Sequence, residues 1–459
     1  MRRNVDMLSG PLFKNIVRFV VPVILTNLLQ ILFNTADMII VGQYCGSISV
    51  AAVSATGSIT HLIVNFFIGI SVGTGVVVSR AIGAKKDETV HRTVHNAIPT
   101  AIISGGLISI TGVIFAPTFL KWMDTPADIL PLSSLYMRIY FAGMIFNMVY
   151  NFSASIMRAA GETKLPLYFL SIAGIVNVGL NVFFVTALDM NVAGVALATT
   201  ISQAISAICA VVALTRRTDN CRLVLKKMRI YKDQLFAVLR FGLPAGINSS
   251  LFALSNVIIT SSINSFNNPA LLSGNGACAN IEGLLSSITG AFQATQINFI
   301  GQNSGARNYK RVKKIYFTAL CTMILTIAAA SSLIYLFRVP LLSLYITDSP
   351  EAILWGIKRI MYIPCLYFLL GCMDNTTGAL RGLGLSLTPM FIALIGACGL
   401  RILWIFTVFQ IPAYHTMDCL YLSYPITWII TFTALSTAFH LIVAKRVKAL
   451  NTLPQRSTL

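Results

Sequence analysis

The chain has 459 residues, of which 56% are hydrophobic and only 11% charged, with a mean hydropathy of +0.77. Soluble domains carry about 25% charged residues, whereas this chain repeats apolar runs of about 20 or more residues, each long enough for a hydrocarbon core of about 30 Å. A soluble globular protein is excluded, and the net charge of +19 must be read in that light.

In chain order the apolar runs predict helical spans at 16–41, 51–79, 94–116, 132–155, 166–188 and 192–214. Six more are predicted at 237–263, 272–300, 315–337, 353–378, 388–409 and 421–444. The side that holds the N-terminus collects 28 of the 34 Lys and Arg, against 5 on the other side, and Arg401 lies inside a span. Cytoplasmic loops carry the basic excess, so both termini are expected in the cytoplasm and the number of crossings is even. The charge is thus a topology signal, with a minor part touching anionic headgroups. No nucleic-acid partner is expected, although a pI of 9.7 is common among such binders. The first apolar run is full length without a small-residue cleavage site, so no cleavable leader is expected. The nine cysteines show no CxxC and read as buried thiols, not disulfides.

The chain also repeats itself. Arg18-Phe19-Val20-Val21-Pro22 matches Arg240-Phe241-Gly242-Leu243-Pro244 at an offset of 222, as Asn34 matches Asn256. At that offset Gly83-Ala84-Lys85 meets Gly305-Ala306-Arg307, and Val90 meets Val312. Arg158, Gly161 and Pro166 meet Arg381, Gly384 and Pro389 at 223. Six crossings per half insert both halves with the same orientation. The expected fold is an all-α polytopic membrane protein of about twelve transmembrane helices. They would form two six-helix bundles related by a pseudo-two-fold axis along the membrane normal. Residues 1–215 would form the N-terminal lobe, 216–240 a basic cytoplasmic linker, and 241–459 the C-terminal lobe with a short cytoplasmic tail. Transporters built on such repeats hold substrate near the bilayer midplane and rock the lobes for alternating access. Pro22 and Pro244 interrupt the first span of each half, and Pro22 is the candidate hinge. Gly69, Gly73 and Gly75 read as close helix packing.

Of the 15 acidic residues, only Asp37, Glu282 and Asp374 lie well inside predicted spans. An ionisable group there costs roughly 2.5–3.5 kcal/mol on insertion scales and marks function by default; the bland alternative is a carboxylate held by a basic or amide partner. Asn34 and Asp37 share a helix face at i, i+3, and Asn177 and Asn181 share one at i, i+4 on the fifth span. Thr199 on the sixth adds a hydroxyl. These five predict a small oxygen-rich pocket that can exchange a proton or hold a hard cation. Asp374 and Glu282 are candidates for a substrate contact or a second coupling site. His91 and His95 have a metal-compatible spacing but no third ligand, so a solvated helix end is expected and no metal site. Arg401 is expected to pair with a neighbouring helix, with gating or substrate access as the functional alternative. There is no GxxxxGK[ST] loop and no hydrolase constellation, so neither ATP-driven transport by this chain nor enzyme activity is expected.

Several stretches, in order and spacing, resemble the multidrug and toxic-compound extrusion (MATE) family of secondary transporters over about 10–447. They are Pro22 to Gly42 with Asn34 and Asp37, the Gly83-Ala84 turn, Arg158-Ala159-Ala160-Gly161, Gly301-Gln302-Asn303-Ser304-Gly305-Ala306 and Gly378-Ala379-Leu380-Arg381-Gly382-Leu383-Gly384. The resemblance implies a central cavity that exports small cationic or aromatic compounds in exchange for H+ or Na+, with no cofactor beyond that coupling ion. It implies that Asp37 belongs to a cation site in the N-terminal lobe, with Asn177, Asn181 and Thr199. Many members carry Asp where Asn181 stands, so one negative charge is missing here. The seventh-span Glu of some Na+-coupled members is also absent, with Phe252 near its place. Expected partners are membrane lipid and small organic cations, the chain being a monomer in the cell (inner or plasma) membrane. The alternative is a lipid-linked oligosaccharide or precursor flippase of the same superfamily, whose members tend to add helices or a more cationic cavity. A major-facilitator porter would carry GxxxDRxGRR after the second span, which Ser79 to Lys86 does not match.

Overall fold

The computed structural model describes residues 4–346 and 349–452, which are helical almost throughout and contain no strand. The end of the expected tail, 453–459, lies outside them. The helices of the first half are α1 (Leu12–Ile40), α2 (Gly46–Gly83), α3 (Asp87–Trp122), α4 (Leu130–Ala142), α5 (Met144–Ala159), α6 (Lys164–Val182) and α7 (Asn191–Thr215). Those of the second are α8 (Lys232–Asn264), α9 (Pro269–Gly305), α10 (Tyr309–Leu336), α11 (Arg338–Ser343), α12 (Pro350–Tyr362), α13 (Tyr367–Gly382), α14 (Leu387–Ala393), α15 (Leu400–Phe406) and α16 (Met417–Asn451). Counting α4 with α5, α12 with α13 and α14 with α15 as single broken crossings, and leaving aside the short α11, gives the twelve expected.

The breaks have local causes. α4 and α5 meet at Gly143 with a bend of 43°. A Cβ on Gly143 would stand 2.7 Å from the Thr200 hydroxyl oxygen, so this approach requires the missing side chain. Pro364, which has no N–H to give, lies between α12 and α13. π-helical turns at Val41–Cys45, Phe183–Ala187 and Leu394–Gly399 follow α1, α6 and α14.

By packing, the described chain divides into two units. One holds Val21–Ile82 and Lys86–Ser250; the other holds Asp6–Val20, Gly83–Lys85 and the chain from Leu251 onward. The duplication is written in the backbone. Lys85 and Arg307, matched at 222, have φ of 53° and 57°, and Gly161 and Gly384, matched at 223, both have φ of 84°. The same helix-ending turns are therefore used twice.

Within the first unit α2 crosses α8 backbone to backbone. A Cβ on Gly73 would lie 2.2 Å from the Val238 carbonyl oxygen, and one on Gly69 2.3 Å from the Gly246 nitrogen. Gly75 only meets the Ser155 side chain at ordinary distance. Phe141, Phe152, Met137, Met144 and Met148 are fully buried in the core of this unit. Large apolar side chains elsewhere stand out from their helices, such as Ile175 and Leu325. On a soluble monomer so many would be an anomaly; on membrane-spanning helices they are the lipid face.

The first turns of α3 also hold segment 216–231. Fully buried His95 accepts the Val224 N–H at Nε2 (3.0 Å), and its Nδ1 lies 2.7 Å from the His91 carbonyl oxygen. One neutral tautomer, protonated on Nδ1, satisfies both contacts. Asn96 Oδ1 accepts the Tyr231 N–H at 3.0 Å, and Thr93 donates to Gln234 Oε1 at 2.9 Å. His95 is thus a buried clasp and not the solvated helix end the sequence suggested. No group of three or more His, Cys, Asp or Glu able to hold a metal occurs among the described residues.

In the second unit Glu282 of α9 accepts from Arg359 Nε (2.7 Å) and Nη2 (3.0 Å). Arg359 Nη1 donates to Asn275 Oδ1 at 2.9 Å, an oxygen that also accepts from Tyr421 at 2.8 Å. Arg401 of α15 places its guanidinium 4.2 Å from the ring centre of Tyr424 and donates to Thr427 at 3.3 Å. Both partners belong to α16, so Arg401 does pair with a neighbouring helix.

Two outcomes follow from these contacts. Removing one partner of a buried ion pair costs about 3–5 kcal/mol. Arg359→Met should therefore lower the melting temperature in detergent, and adding Glu282→Gln should recover part of the loss; an unchanged melting curve for the single variant would show that the pair contributes nothing. His95→Leu orphans the Val224 N–H, at about 1–3 kcal/mol. Amide exchange should then quicken across 219–228 and stay parental elsewhere.

Candidate cation and substrate site

α1 brings Asp37 to within one turn of its terminal π-helical turn, α6 brings Asn177 and Asn181 just ahead of Phe183–Ala187, and α7 brings Thr199. The Asn181 amide donates to Asp37 Oδ1 in a short hydrogen bond, and Thr199 Oγ1 donates to Asp37 Oδ2 at 3.2 Å. Asn181 Nδ2 also reaches Asn177 Oδ1 at 3.3 Å, and Asn177 Nδ2 donates to Thr199 Oγ1 at 3.4 Å. Asp37 is buried, 9% exposed, and forms no ion pair among the described residues. Its charge is met by neutral donors alone. Asn34 lines the adjoining cavity but makes no hydrogen bond to Asp37 among the described residues.

The donor pattern says what this cluster can do. Both carboxylate oxygens accept, which suits an ionised Asp37. The Asn181 carbonyl oxygen is buried without a partner. Turning that amide would exchange a donor for an acceptor next to the carboxylate, which is what a protonated Asp37 or a hard cation requires. With Asn177 Oδ1 and Thr199 Oγ1, the cluster offers oxygens from four side chains on three helices.

The cavity beside it has a volume of about 410 Å³. Tyr136 and Tyr140 of α4 lie in its wall with ring centres 6.1 Å apart and planes at 15°. Gln203 of α7, Asn147 of α5 and His61 of α2 face it as well. Sequence reading passed over these residues. Tyr136 and Tyr140 did carry a signal, an i, i+4 spacing that shares one helix face.

The remaining predicted residues lie elsewhere. Glu282 and Asp374 belong to the second unit. Glu282 is engaged by Arg359, and Asp374 of α13 is half-buried and accepts from Thr289 at 3.1 Å. Pro22 is buried inside α1, and its carbonyl accepts from Thr26 at 2.7 Å. The chain passes from one packing unit to the other between Val20 and Val21, next to that proline.

Comparison with known proteins gives a consistent answer. The chain is 27% identical over 398 residues to the probable multidrug resistance protein YoeA of Bacillus subtilis, covering 84% of each chain. It is 24% identical over 414 residues to a FAD transporter of Shewanella oneidensis, covering 88% of this chain and 89% of that one. Among solved structures, the outward-facing conformation of a multidrug resistance MATE family transporter superposes with a TM-score of 0.90 at 20% identity, over 98% of this chain and 99% of that one. The model of the MatE family matches residues 22–183 and 244–407, once in each half. The chain therefore belongs to the MatE family of multidrug and toxic-compound extrusion transporters.

Proposed function

We propose that the protein is a secondary antiporter that exports small organic compounds, cationic or aromatic, in exchange for H+ or Na+ by alternating access. The observation that carries this reading is Asp37: a carboxylate buried among membrane helices, held by Asn181 and Thr199 without a counter-cation and set beside a cavity of substrate size. A group so placed can trade its charge for a proton or a monovalent cation, while a permanently paired acid such as Glu282 cannot without breaking its ion pair. Pro22 supports a hinge, since it lies where α1 leaves one packing unit for the other. The basic bias of the loops supports cytoplasmic termini in the cell membrane. Export of drug-like compounds agrees with the multidrug resistance relatives, beside which the chain is also similar to a FAD transporter.

The coupling has an arithmetic limit. Exchanging one proton for one monovalent cation moves no net charge, so one pH unit supplies about 1.4 kcal/mol, a tenfold ratio at most. A neutral substrate leaves the proton's charge to be moved and adds about 2.3 kcal/mol per 100 mV.

The test is ethidium efflux from cells or vesicles expressing the chain, with pH and Na+ gradients imposed separately. Asp37→Asn should reach the membrane at the parental level while gradient-driven efflux falls about tenfold or more. Parental efflux by that variant would remove Asp37 from the coupling mechanism.

A further inference from the structure

We infer that the segment between α7 and α8 is a binding surface for anionic lipid headgroups, with Leu225 and Ile230 set into the membrane interface beside them. The surface is separate from the Asp37 site and its binding needs no gradient, so it stands independently of the export reading.

Position comes first. α7 ends at Thr215 and α8 begins at Lys232, so the segment joins two membrane-spanning helices and lies at the membrane surface. The way it folds back decides which side chains face outward. The Leu223 N–H donates to the Leu214 carbonyl oxygen at 3.1 Å, and Cys221 and Leu223 are buried in the core of the first unit. His95 and Asn96 hold the Val224 and Tyr231 N–H groups.

What stays outside is basic and apolar together. Arg222, Lys226, Lys227, Arg229 and Lys232 are exposed, and no Asp or Glu occurs from 220 to 232. Asp219, just before them, is engaged by Arg217. Among these bases stand Leu225, 53% exposed, and Ile230, 39% exposed, with Phe236 at 70% in the first turns of α8. The positive-inside bias accounts for bases in any loop on this side. It does not account for the apolar side chains: the other basic turns, 83–86 and 306–314, expose no large apolar residue. A soluble polyanion would meet the bases and leave Leu225 and Ile230 in water. An anionic bilayer surface meets both, with phosphates for the bases and the acyl boundary for the apolar side chains.

The test uses Ile230→Trp as a reporter in the purified full chain. Its nanodiscs are phosphatidylcholine, replaced stepwise by brominated phosphatidylglycerol or, in parallel, by brominated phosphatidylcholine. Quenching beyond that of the parent's own tryptophans reads which lipid stands against position 230. The brominated anionic lipid should quench at about tenfold or more lower content than the neutral one, and high salt should shrink the preference. Lys226→Gln, Lys227→Gln and Arg229→Gln together should bring the two lipids to within about twofold. Melting should stay parental, because all three side chains are exposed; if the combination does not fold, Lys226→Gln with Lys227→Gln carries the same test. Equal quenching by the two lipids, or a preference that survives neutralisation, would overturn the inference. Polyphosphate added to phosphatidylcholine nanodiscs should leave the reporter's emission unchanged. A blue shift equal to that given by the anionic lipid would assign the surface to a soluble polyanion instead and sink the lipid reading.

Discussion

A carboxylate inside a membrane helix has to find something to replace water, and much of this structure turns on how that is done at Asp37. Asn181 and Thr199 supply neutral donors from two other helices. Amide and hydroxyl donors stabilise the charged form without cancelling its charge, so the group stays open to a proton or cation. A lysine or arginine in the same place would have met the desolvation cost more fully and left no uncompensated charge. Neutral partners from α6 and α7 thus leave the charge carried by α1 uncancelled.

The other unit shows the opposite solution. Glu282 is held by two hydrogen bonds from Arg359, whose Nη1 also donates to Asn275. Such a pair fixes the packing of α9 against α12 and leaves no exchangeable charge. The duplication makes the contrast sharper. At the offset of 222, Asn34 is kept as Asn256, yet Asp37 becomes Ile259, a buried aliphatic. At 223, Asn177 and Asn181 become Leu400 and Trp404. The halves share turns, prolines and glycines, which are backbone requirements, and differ at the Asp37 cluster. One framework was copied and only one copy carries the Asp37 cluster.

This division also explains what was legible in the sequence. Spans, their number and the repeat follow from hydropathy and from residues such as Gly161 and Gly384, whose left-handed backbone few other residues tolerate. Asp37 stood out because acids in apolar runs are rare; the i, i+4 spacing of Asn177 and Asn181 and the Thr199 hydroxyl pointed to its partners, and the resemblance implied the same set. Asn34 was placed on the right face by spacing, but sharing a face with a carboxylate does not make a hydrogen bond to it. The pairing of Arg359 with Glu282 left no mark in the sequence, because hydropathy cannot see that a helix end is buried by its neighbours. The bend at Gly143 depends on Thr200 of another helix, and His95 became a clasp only because Val224 folds back onto it. Contacts between segments far apart in the chain leave no periodic trace.

The π-helical turns carry the argument one step further. Val41–Cys45 begins four residues after Asp37, and Phe183–Ala187 begins two after Asn181. The two turns are also neighbours in space. A π turn holds an extra residue and loosens the local hydrogen-bond ladder, and such turns gather at functional sites. Here both partners of the shortest contact to the carboxylate sit on regular helix that ends in a looser turn on the same side. Donor and acceptor are therefore both carried by regular helix, and the looser turns lie immediately beyond them. A change in what the carboxylate holds would therefore meet a looser segment of α1 and of α6 within about one turn of the contact.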